Sequence, residues 1–353
     1  MPGRWSISSL FARPTLWRVF TIVETILTLL IVSLVIIPAN VLVIRGRKTE
    51  QRIFTGLLFL LNIPIFFFGL FLLVVPSEIL SDVAAQAELG LENFKAIGLN
   101  LFLMASWGML VTLSPVRRLL ARLMRIDPAS PVHTLALLLV GYLVGQSWLA
   151  LTQGGLAGLA EIAEPTSISV VVLSELIFAV VAFLGVGLLV RRHGRELMKR
   201  LGLVKPEPRH LLVGMALIVL LVILQVIVGL IWAQLYPDQA AILEDLNTIL
   251  LADMDTLWEW LLLALAAGIA EELLFRGALQ PIMGMGFTAV VFALIHVQYG
   301  FSPILLFIVL LAVILGLVRR YYNTTTAIFI HFGYDLVLGL FALLAAYLEP
   351  LAG

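Results

Sequence analysis

The chain has 353 residues, 61% of them hydrophobic and 12% charged, with 22 Lys plus Arg set against 22 Asp plus Glu. Its mean hydropathy is +1.09, whereas soluble domains are about 45–50% apolar and about 25% charged, so a soluble globular protein is excluded. There is no cysteine, which removes disulfides, thiolate metal sites, cysteine nucleophiles and palmitoylation. A net charge of zero carries no signal for nucleic acid, and none is expected as a partner.

Apolar runs fall at 19–44, 53–75, 97–113, 133–153, 167–190, 211–234, 256–280, 286–299, 303–318 and 325–347. At ~20 residues per membrane span, they predict an all-α polytopic transmembrane bundle of about 8 to 10 spans with little room for a soluble domain. The first run continues directly into Arg45, Arg47 and Lys48 and is too long for a cleaved signal peptide. The 286–299 and 303–318 runs are short, and Gly300, Ser302 and Pro303 separate them. A half-span or strong tilt is expected there, with the break sheltered by protein. The chain divides into N-terminal spans and links over 1–130 and a core over 131–353.

Basic residues cluster at Arg45 to Arg52, at Arg117, Arg118, Arg122 and Arg125, and between Arg191 and Arg209; alternation places Arg276, Arg319 and Arg320 on the same side. Twelve acids lie opposite: Glu78, Asp82, Glu88, Glu92, Glu161, Glu164, Asp238, Glu244, Asp245, Asp253, Asp255 and Glu349. The basic side is therefore expected to be cytoplasmic, with Arg4, Arg13 and Arg18 ahead of the first span as the one conflict. The 117–125 and 191–203 stretches have the pattern of amphipathic turns at the membrane surface. Gly141 with Gly145 and Gly154 with Gly158 have small-residue helix-packing spacing.

A charge inside a span is costly and needs a reason. In the first six spans only Glu24, near a helix end, and Glu175, deep in the fifth, require one; a structural role is expected for Glu175. The last four carry Glu271, Glu272, Arg276, His296, His331 and Asp335. At 1.5 Å per residue, Glu271 and His296 sit ~15 Å below the basic surface, Asp335 ~16 Å and His331 ~10 Å below it. Glu272 and Arg276 are at i, i+4, an ion pair that supports the site. Glu271 is turned ~100° away and is the free carboxylate. His331 and Asp335 share a helix face, and Phe292 walls the site one turn before His296.

These residues form three motifs: Glu271-Glu272-Leu273-Leu274-Phe275-Arg276, Phe292-Ala293-Leu294-Ile295-His296 and His331-Phe332-Gly333-Tyr334-Asp335. They resemble the Glu-Glu-x-x-x-Arg, Phe-x-x-x-His and His-x-x-x-Asn motifs of the CPBP intramembrane protease family, which includes CAAX prenyl endopeptidases of the Ras-converting type and bacteriocin self-immunity proteins. The resemblance covers about 255–345. It departs at Asp335, where the family has Asn; Asp335 would orient His331, stay protonated or ligate a metal. The PrsW family ends its last motif in Asp but has Glu at the position of His296.

The resemblance implies a membrane endopeptidase, a hydrolase in which Glu271 deprotonates a water positioned by His296 while His331 polarises the scissile carbonyl. A metalloprotease is the other form: Glu271, His296 and His331 bind Zn²⁺ with one position open. It also implies a membrane-associated substrate, a prenylated CAAX protein in eukaryotic members, and a site in the cell membrane open to the cytoplasm. Two other classes fit part of the pattern: a non-catalytic scaffold or immunity protein of the same fold, and a proton-coupled transporter, although transporters commonly repeat their polar breaks in two halves.

Overall fold

A computed structural model describes residues 14–86, 93–152 and 154–352, with side chains described over 22–86, 93–152 and 154–348. Arg4, Arg13, Glu88 and Glu92, and the side chains of Arg18 and Glu349, lie outside these limits. In chain order the helices are α1 Pro14–Arg45, α2 Lys48–Val74, α3 Ser77–Gln86, α4 Phe94–Thr112, α5 Ser114–Leu120, α6 Pro131–Leu149, α7 Gly155–Ile162 and α8 Ile168–Gly185. They continue with α9 Gly194–Leu201, α10 Pro208–Leu235, α11 Pro237–Leu250, α12 Leu257–Glu272, α13 Gln280–Met283, α14 Met285–Leu294, α15 Pro303–Tyr321 and α16 Thr324–Ala352. No strand occurs among the described residues, so the protein is an all-α bundle.

Among the described residues, eight helices are long and apolar enough to cross a membrane: α1, α2, α4, α6, α8, α10, α15 and α16. The two remaining apolar runs take other forms. The seventh is α12 and α13 joined by a π-helical stretch, Leu273–Leu279. The eighth gives only the 10-residue α14, the expected half-span. Large apolar side chains cover the outside, with Leu34, Val74 and Leu212 each more than 70% exposed. In water this surface would drive aggregation; a bilayer of ~30 Å hydrocarbon matches it. The chain is a multi-pass membrane protein.

α2 packs along α4, which in turn packs on α6; α1 lies against α6 and α8. The C-terminal half is centred on α12, held between α8 and α16, with α14 on α15 and α15 on α16. Gly268 permits a close approach of α12 to α16: a Cβ there would lie 2.9 Å from the backbone nitrogen of Phe332. That approach brings α12 onto α16 one turn before Glu271 and one residue after His331.

Three expectations outside the site need revision or refinement. Gly141 and Gly145 do admit α4, facing Trp107 and Met104, but Gly154 is not a packing residue; it takes φ +99° as the left-handed cap that starts α7. Arg117 is not a surface anchor. Its guanidinium turns inward to donate to the carbonyls of Val111, Thr112 and Pro128, because the last carbonyls of α4 have no partner within the helix. Burial, together with neighbouring Arg118, lowers the pKa of Arg117. The 191–203 stretch does form an amphipathic helix, α9, but it is docked: Leu197 and Leu201 are buried and Arg200 donates to the carbonyls of Gly277 and Ala278 in the π-helical stretch.

Candidate active site

Each polar residue of the C-terminal spans is placed by a local feature. α12 starts at a capping box in which Thr256 accepts from the backbone of Glu259 and the Glu259 carboxylate accepts from Thr256 and Asp255. Glu271 and Glu272 close the α-helical part of this span, and the wider π turn begins at Leu273. Such turns recur at functional sites because they redirect side chains without ending the helix. α16 starts at Asn323, whose side chain accepts from Thr326, and Thr324 is tied to the carbonyls of Leu201 and Gly202. Its first two turns thus hold His331 at a fixed height.

His296 is not inside a helix. α14 ends at Leu294 and His296 precedes a short 3₁₀ turn, Val297–Tyr299. The last carbonyls of α14 need outside donors: His296 Nδ1 lies 2.7 Å from the Phe292 carbonyl and the Trp148 indole donates to the Leu294 carbonyl at 2.7 Å. A carbonyl can only accept, so Nδ1 carries the hydrogen. In the neutral ring, Nε2 is then left as an acceptor.

The central arrangement is a carboxylate and imidazole relay. Glu272 Oε1 is 2.9 Å from Arg276 Nη1 and 3.0 Å from His331 Nδ1. All three residues are buried, Glu272 completely. On the other side of the ring, His331 Nε2 lies 3.4 Å from Asp335 Oδ2 and 3.9 Å from Glu271 Oε2. Glu271 is buried, and its Oε2 has no hydrogen-bond partner among the described residues. Phe292 is the hub of the wall: Arg276 lies over its face at 4.4 Å, Phe275 meets it at 5.1 Å, and the His296 and His331 rings are 4.7 and 6.0 Å away.

All seven residues selected from sequence therefore meet at one place. Glu272 does more than pair with Arg276, since it also fixes the orientation of His331. Glu175 belongs to this neighbourhood as well. It interacts electrostatically with Glu271, His331 and Asp335, its Oε2 is buried without a hydrogen bond to any described residue, and Phe178, one turn along α8, meets Phe275 edge-on at 6.3 Å. Sequence marked Glu175 as expensive, but no local pattern tied α8 to α12.

Residues 253–337 match the family described as Rce1-like: type II CAAX prenyl endopeptidase Rce1-like. This segment is similar to that family. The match contains all three motifs, agrees with the CPBP resemblance, and attaches a CAAX-type intramembrane protease function, in general terms, to the C-terminal spans; it does not point to the bacteriocin self-immunity branch. No curated protein and no solved structure matches the chain.

The zinc alternative needs donors that converge. Among the described residues no group of three or more His, Asp or Glu side chains is placed to hold a metal ion. Nδ1 is held by Glu272 in His331 and by a backbone carbonyl in His296, which leaves Nε2 of each ring as the atom that faces the site.

Proposed function

We propose that the Rce1-like segment hydrolyses a peptide bond of a membrane-associated protein or peptide by direct attack of water, with Glu271 as general base. The observation that carries this reading is the buried Oε2 of Glu271, which makes no hydrogen bond to a described residue and lies 3.9 Å from the fixed imidazole of His331. A carboxylate with a spare oxygen in a low-dielectric site can take a proton from water, and such a positioned base contributes typically 10²–10⁴-fold. His296 Nε2 accepts the second hydrogen of that water and holds it in place. His331, with carboxylates at both ring nitrogens, donates from Nε2 when protonated and stabilises the oxyanion that develops on the carbonyl. Asp335 accepts rather than donates when ionised, so in this chain it orients His331. The water oxygen bonds to the carbonyl carbon, its proton passes to Glu271, and collapse of the tetrahedral intermediate returns that proton to the departing amine.

We infer further that the substrate is tethered to the bilayer, as the family description implies for lipid-modified CAAX chains, and that it enters from the arginine-rich side, which the positive-inside rule makes cytoplasmic. The test is cleavage of a prenylated CAAX peptide by the protein reconstituted in vesicles, compared with the same peptide lacking the lipid, each before and after exhaustive chelation. The expected result is faster cleavage of the lipidated peptide, with the rate unchanged by chelation. Loss of activity on chelation with recovery on adding zinc would overturn the metal-independent form. Equal rates for both peptides would remove the tethering inference.

A further inference from the structure

A cavity of about 410 Å³ lies between α1, α6, α8 and the π-helical end of the α12 crossing, separate from the catalytic residues. Its body is apolar, lined among others by Val32, Ile36, Val140, Phe178, Val181 and Leu274. One end is different in kind: Arg191, Arg192 and Arg200 line it together with His133. These four stand at the basic-side ends of α6, α8 and α9, where a lipid leaflet presents its head groups.

The arginines are held in place but not neutralised. Arg191 donates to Asn40, a fully buried residue that itself bonds the Ile36 and Leu184 carbonyls. Arg200 is fixed by the Gly277 and Ala278 carbonyls, and Arg192 by the Val186 carbonyl. Among the described residues no carboxylate pairs with Arg191 or Arg200, and Arg192 has only Glu196, an exposed acid 3.8 Å away. A tight turn presents the first two: Gly187 at φ +104° and Leu189 at φ +67°, with the amides of Arg191 and Arg192 both bonded to the Gly187 carbonyl. A left-handed leucine is uncommon and is tolerated only where surroundings impose it. Burial and the neighbouring Arg192, Arg319 and Arg191 pull the Arg200 pKa down to about 10, so an anion at this end would relieve mutual repulsion among the cations.

We propose that this cavity binds an anionic phospholipid of the arginine-rich leaflet, with one acyl chain in the apolar body and the phosphate on Arg191, Arg192 and Arg200. The volume is at the small end of ligand pockets, ~300–1,000 Å³, and suits one chain, not a whole diacyl lipid. Guanidinium forks match phosphate oxygens in geometry as well as charge. Because the lining includes Leu274, Ala278 and Leu279 of the π-helical stretch, an occupant would brace the backbone that leaves Glu271 and Glu272. The inference does not depend on the protease reading.

The test is lipid retention, read by native mass spectrometry after reconstitution in bilayers that mix phosphatidylglycerol and phosphatidylcholine of identical chains. The full-length protein should retain one phosphatidylglycerol with about a tenfold preference over phosphatidylcholine, the scale of the attraction to clustered cations that a head group of zero net charge forgoes. The Arg191→Gln/Arg192→Gln variant should lose the preference. Ala136→Phe, which fills the cavity from α6 and leaves every arginine in place, should lose the lipid itself. Equal retention of the two lipids by the unmodified protein, or retention of phosphatidylglycerol by Ala136→Phe at the unmodified level, would overturn the proposal. Neither readout requires proteolysis, so failure here and failure of the catalytic reading are distinguishable.

Discussion

Replacing Glu271 by Gln is expected to reduce peptide cleavage by about 10²–10⁴-fold, the contribution of a positioned general base, while leaving the fold intact. The two halves of this expectation have separate causes. The side chain keeps its size in a buried site where Glu271 Oε2 makes no hydrogen bond to a described residue, so packing is preserved and the only contact weakened at that oxygen is the 3.9 Å approach to His331 Nε2. The amide, however, cannot accept a proton from water at neutral pH. Turnover of a membrane-embedded peptide, measured beside helical content and thermal unfolding, separates the effects. Full activity in Glu271→Gln would remove this residue from the mechanism.

Glu272 should behave in the opposite way, although it is the adjacent residue. Its Oε1 neutralises Arg276 at 2.9 Å and anchors His331 at 3.0 Å, and both partners are buried. Glu272→Ala leaves a guanidinium that is 2% exposed without its counter-charge. Removing one member of a buried pair typically costs ~3–5 kcal/mol, and a lower unfolding midpoint is expected together with lost activity. Glu272→Leu combined with Arg276→Met should restore most of the stability, since an apolar pair of similar volume is often no worse than the ions. It should not restore cleavage, because His331 would still lack its anchor. Recovery of activity in the double variant would show that the orientation of His331 is unimportant.

The contrast between these neighbours marks how far sequence alone reaches. The i, i+4 spacing of Glu272 and Arg276 and the ~100° offset of Glu271 separate a paired acid from a free one without any structure. Matching depths for Glu271, His296, His331 and Asp335 bring three helices to one level for the same reason: rise per residue is fixed by backbone hydrogen bonding. Features set by the exchange of backbone bonds between elements leave little trace in a pattern of apolar residues. The π turn after Glu272, the position of His296 beyond the end of α14, and the inward turn of Arg117 each satisfy carbonyls that a regular helix leaves open. None changes the hydropathy of its segment. Glu175 and the arginine-capped cavity depend on which helices are neighbours, and α8 reaches α12 across a long intervening stretch of chain.

The role of the remaining spans follows from this packing. α8 sets Phe178 against Phe275 and brings Glu175 to the site, α6 secures the end of α14 through Trp148, and α9 clamps the π turn through Arg200. The described residues outside the Rce1-like match therefore shape the candidate site from three directions.

In the proposed mechanism, water activated by Glu271 attacks the peptide carbonyl directly. This attack is tested most directly by a single turnover of the purified, chelated protein on a membrane peptide in ¹⁸O-labelled water, followed by mass spectrometry of the new carboxyl terminus. Direct attack predicts cleavage with one ¹⁸O atom in that carboxylate from the first turnover. No cleavage by a folded protein, or a first-turnover product whose added oxygen is unlabelled and so comes from an enzyme carboxylate, would contradict it.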